Sequence, residues 1–146
     1  MKTFNIQTSF LKKLADTATP VSIYLRLRDV FPNAILLESS DYHSRENAVS
    51  YVCADPVAGI TVKNQVLRSY FPDGTSETKA SFDLTAEIEH FKSAFQTSEL
   101  PDKRYVSNGM FGYFTWKAIP YFEDISFKAQ TPEGDAIPEL QYHIYR

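Results

Sequence analysis

The chain has 146 residues, 43% of them hydrophobic and 14% aromatic, which excludes intrinsic disorder and allows one domain with a real core. Its 15 basic and 18 acidic side chains leave a net charge of −3 with no lysine or arginine run, so neither nucleic acid nor an anionic membrane is an expected partner. No apolar stretch approaches membrane-spanning length, the N-terminus lacks the apolar core of a signal peptide, and Cys53 is the sole cysteine; a cytoplasmic protein without disulfides is expected.

"TPVSIYLRLRDVF", residues 19–31, predicts the first helix. Thr19 is its cap, Pro20 suits the first helical position, and Ile23, Leu27, Val30 and Phe31 share one face. Pro32-Asn33 stops it. The short apolar run Ala34 to Leu37 then predicts a strand buried on both faces, ending in Glu38 and Ser39.

From Ala48 the texture is β. "AVSYVCA", "GITVK" and "QVLRSYF" predict consecutive antiparallel hairpins separated by "DPVAG", "KN" and "FPDGTS", with Asn64 suited to a left-handed turn position. "DLTAEIEHFKSAFQT" predicts a helix capped by Asp83, with Leu84, Ile88, Phe91 and Phe95 on one face. "SNGMFGYFTWKAIPYFEDI" predicts a core strand, with glycines where another backbone comes close, and then a short helical turn. "TPEGDAIP" is a loop, and "ELQYHIYR" alternates as a strand with Leu140, Tyr142 and Ile144 on one face. The class is α+β: a mainly antiparallel sheet covered by a few helices, in a single domain over residues 1–146. The closing strand is cut off in mid-pattern, which predicts the N-terminal part of a longer polypeptide.

Few residues offer chemistry. His43, His90 and His143 are scattered and read as surface histidines, Cys53 reads as a buried inert thiol, and no phosphate-binding or nucleophile motif is present. No catalytic residue and no metal ligand is assigned. That leaves Glu38 and Ser39. A carboxylate at the end of a buried strand needs a cation or several N–H donors, and a free amino acid brings an ammonium group that a carboxylate and a hydroxyl can hold. An exposed acid at a strand end is the alternative.

Read together, "TPVSIYLRL", "LLES" (Leu36 to Ser39), "GMFGYF" (Gly109 to Phe114) and "YFE" (Tyr121 to Glu123) resemble, in order and spacing, the N-terminal region of anthranilate synthase component I. In that family the Leu-Leu-Glu-Ser element helps bind L-tryptophan, the feedback inhibitor. The resemblance implies that Ser39 contacts the amino-acid end of tryptophan, that Glu38 helps form the pocket, and that Ser50 is a weaker pocket candidate. The segment "AVSYVCADP" departs from the Arg-Tyr-Ser-Phe-Ile-Gly-like sequence of many relatives, keeping only Ser50 and an aromatic neighbour.

The family converts chorismate to anthranilate and pyruvate, using ammonia from a glutamine amidotransferase partner and a bound Mg²⁺. The resemblance places the catalytic and metal-binding residues beyond Arg146, so these residues alone would be inert and hold no cofactor. Aminodeoxychorismate synthase component I is the alternative relative, and a free-standing small-molecule-binding module is the alternative class. A fragment would leave an unpaired edge at "ELQYHIYR" and an apolar face.

Overall fold

A computed structural model describes residues 2–39, 48–97, 108–126 and 137–146. The chain divides into two compact units, one formed by Met1–Thr8 and Ala58–Ile144, the other by Ser9–Val57 with Tyr145–Arg146.

The strands in chain order are β1 (Phe4–Ile6), β2 (Ile35–Ser39), β3 (Val49–Cys53), β4 (Pro56–Lys63), β5 (Val66–Tyr70), β6 (Ser76–Lys79), β7 (Phe95–Thr97), β8 (Phe111–Phe114) and β9 (Leu140–Tyr145). The helices are α1 (Pro20–Leu27) and α2 (Leu84–Ser93), with a 3-10 helix at Trp116–Tyr121. The architecture is α+β with mostly antiparallel sheets.

The larger unit is built on a five-stranded sheet in the order β6-β5-β4-β9-β8. Alternation puts Ala58, Ile60 and Val62 of β4, Leu67 of β5, and Leu140 and Ile144 of β9 in the core. Asp83 caps α2 by accepting from the Ala86 N–H at 3.1 Å, and the helix buries Leu84 and Phe91. Phe91 joins Phe4, Phe71 and Phe95 in an aromatic cluster with centroids 5.1 Å (Phe91–Phe95) to 6.2 Å (Phe71–Phe95) apart. β1 and β7 pair in parallel beside this cluster.

Lys63 to Val66 forms a two-residue hairpin whose Asn64 and Gln65 both have positive φ, 52° and 60°. These values suit the primed turn that follows the twist of the strands. The Glu139 carboxylate accepts from the Asn64 N–H at 3.0 Å and so fixes the hairpin to the start of β9.

In the smaller unit, Thr19 and Ser22 form a reciprocal capping box at the start of α1, as the Thr-Pro pair predicts. α1 packs against the two-stranded sheet of β2 and β3.

Several expectations are corrected. α1 ends at Leu27 and not at Phe31; Val30 lies beyond it and is exposed. β2 is half-buried and not buried on both faces, because a two-strand ribbon with one helix cannot cover two faces. The "DPVAG" separator belongs mostly to β4, and β3 pairs with β2 and not with β4. The second helix stops at Ser93, and Phe95 to Thr97 turn into β7.

β8 is an edge strand that exposes Tyr113 and Phe114, not a core strand. β9 lies between β4 and β8, so the unpaired edge expected at "ELQYHIYR" is absent; β6 and β8 are the edges of this sheet. Exposed apolar side chains do gather near β8, with Phe114, Trp116 and Phe122 each well exposed. Most of "TPEGDAIP" lies outside the described residues.

Candidate functional site

Glu38 and Ser39 end β2, at the end of the ribbon that residues 40–47 connect; His43 lies in that segment, outside the described residues. The register sets Glu38 opposite Ser50 and Ser39 opposite Val49. The Ser50 hydroxyl donates to Glu38 Oε1 at 3.5 Å, a long contact between two exposed side chains. Glu38 is therefore not the buried carboxylate expected of a strand covered on both faces.

Strand alternation further separates the three candidates. Glu38 and Ser50 share one face of the ribbon, whereas Ser39 shares the other with Val49 and Tyr51. A ligand touching all three must straddle the strand end. The period-two rule could have shown the Glu38/Ser39 split from sequence. The Glu38–Ser50 pairing could not be read, because it depends on the register across residues 40–47.

The opposite end of the ribbon is pinned. Asn33 (φ 61°) and Asp55 (φ 56°) hold left-handed conformations just outside the two strands. Tyr145 Oη donates to the Asn33 carbonyl at 2.8 Å, and Arg146 Nε donates to the Asp55 carboxylate at 2.8 Å. The closing residues of the chain thus hold the far end while the Glu38–Ser39 end faces solvent.

Cys53 is buried, and burial pushes its thiol up, away from the reactive thiolate. Among the described residues, no group of three or more His, Cys, Asp or Glu could hold a metal ion, and no helix is long and apolar enough to cross a membrane.

His143 is buried at 4% exposure and not on the surface; His90 is exposed as expected. The imidazole lies over Gly59, where a Cβ would overlap Nδ1 and stand 2.7 Å from Tyr70 Cε1. Tyr113 O–H donates to Gln141 Oε1 at 3.3 Å, and the Gln141 amide N–H donates to His143 Nε2 at 2.7 Å. That assigns the proton to Nδ1, which faces the Tyr70 oxygen at 3.0 Å. A second proton at Nε2 would meet the Gln141 N–H head on.

Burial holds His143 below its ordinary 6.5, although the Ala58 carbonyl pulls the other way. The unfolded chain therefore binds the proton first, and stability present above pH 6.5 is lost as pH falls through the folded value. Urea midpoints should drop as the pH falls below 6.5 in the parent chain and drop less in His143→Gln. Equal slopes in both would show that His143 is not the group responsible.

No protein-family model matches the chain. It is similar to a class of biosynthetic proteins named anthranilate synthase component 1. The relative from Pseudomonas aeruginosa is 28% identical over 127 residues, 87% of this chain and 26% of that protein. The Pseudomonas putida protein is 29% identical over 128 residues, with the same coverage of 87% and 26%. The Acinetobacter calcoaceticus protein is 27% identical over 146 residues, 92% and 27%. The chain thus resembles anthranilate synthase component 1 along most of its length and spans about a quarter of the length of these curated relatives.

Proposed function

We propose that these residues are the N-terminal, regulatory part of an anthranilate synthase component 1, with an L-tryptophan site at the Glu38–Ser39 end of β2. The observation that carries this reading is the similarity to component 1 proteins over 87–92% of the chain but 26–27% of each relative. The Ser50–Glu38 contact supports the site, since it brings two of the three candidates together.

On this reading the longer cytoplasmic polypeptide forms anthranilate and pyruvate from chorismate, with ammonia from a glutamine amidotransferase partner. On the same reading, Mg²⁺ belongs to the remainder of that polypeptide. These residues contribute control. Tryptophan inhibits by binding one conformation of the intact enzyme more tightly than the other, and that conformation takes chorismate poorly.

The test is to express the native reading frame as it continues past the codon for Arg146 and assay chorismate-dependent anthranilate fluorescence. Product formed with ammonia or glutamine is the expected result. A frame that stops at that codon, or a longer product that forms aminodeoxychorismate instead, would sink this reading.

A further inference from the structure

The open face of the β4–β5 hairpin bears a groove of about 460 Å³ lined by Thr61, Lys63, Asn64, Val66, Arg68 and Tyr70. Register places Thr61 opposite Arg68 and Lys63 opposite Val66, so the two cations are diagonal neighbours on one face. Diagonal positions lie roughly 7–8 Å apart. Among the described residues, neither the Lys63 nor the Arg68 side chain makes an ion pair or hydrogen bond; the carboxylate beside the lining is that of Glu139, which is engaged by the Asn64 N–H at 3.0 Å. Two like charges so placed repel each other, and an anion between them relieves the repulsion.

The rest of the lining favours more than a bare ion. Val66 and Tyr70 are half-buried and offer an apolar wall, extended by the alkyl stems of the two cations. Tyr70 is held in place on this same face, where its hydroxyl meets His143 and its ring lies against Gly59. The wall is therefore set before any ligand arrives.

We propose that this groove binds a small organic anion: a carboxylate held between Lys63 and Arg68, with a flat apolar body against Val66 and Tyr70. Arg68 supplies the planar two-pronged donor that suits a carboxylate, and Lys63 supplies the second charge.

The experiment titrates the isotope-labelled 146-residue chain with benzoate, acetate and inorganic phosphate, following amide NMR shifts. Benzoate should give saturable shifts centred on residues 61–70 and bind roughly 5-fold or more tighter than acetate. Lys63→Gln and Arg68→Gln should each weaken benzoate binding by about 5–10-fold, and the double variant should abolish it. Both positions are exposed, so retained amide dispersion will show that the variants fold. The absence of saturation, shifts that survive in the double variant, or phosphate binding as tightly as benzoate would each overturn the proposal.

Discussion

Gly112→Ala should remove roughly 3 kcal/mol or more of stability, because a Cβ there would overlap the Gln141 carbonyl oxygen and stand 2.7 Å from Tyr142 Cα. Both obstacles are backbone atoms of the paired strand, so no rotamer change relieves them. β8 would have to leave β9, exposing Leu140 at the centre of the core. Chemical denaturation would show the loss as a lowered midpoint or as an unfolded chain. A midpoint within error of the parent would mean that β8 and β9 do not approach as described.

The second large loss should come from Phe91→Ala. Phe91 is 1% exposed and packs its ring against Phe71 at 5.5 Å and Phe95 at 5.1 Å. Removing a buried phenylalanine costs about 3–5 kcal/mol, from lost transfer energy and from the cavity left behind. A domain with 5–15 kcal/mol of total stability loses much of its margin this way. Phe91→Leu should recover a large part of the loss, since it refills most of the volume. Equal losses in both variants would point to ring contacts and not to filled space.

The two substitutions mark what local chemistry could and could not foretell. The close backbone approach at Gly112 was legible, since a glycine inside an aromatic strand has few other uses. So were the caps at Thr19 and Asp83, the left-handed Asn64 and the burial of Leu140 and Ile144 on one face of β9. Each depends on a few neighbouring residues. The pairing of strands does not. β1 with β7, and β9 between β4 and β8, join segments separated by long stretches of chain, and nothing in one strand names its partner.

The same division runs through the candidate site. The Leu-Leu-Glu-Ser element was visible as apolar residues ending in an acid and a hydroxyl, and the structure puts both at the exposed end of a ribbon. Its expected burial failed because the ribbon has only two strands. His143 was missed for a related reason: a lone histidine in an alternating strand looks like a surface residue until Tyr70, Gly59 and Gln141 are brought around it.

Tryptophan control is the central claim, and titrating L-tryptophan into the chorismate reaction of the longer polypeptide tests it most directly. The parent and Ser39→Ala should turn over similarly without tryptophan, while the variant should need roughly 10-fold more of it for half inhibition, the loss of one hydrogen bond to a charged group. Identical inhibition curves in the two proteins would contradict the assignment of Ser39. A parent enzyme indifferent to tryptophan would contradict the regulatory role itself.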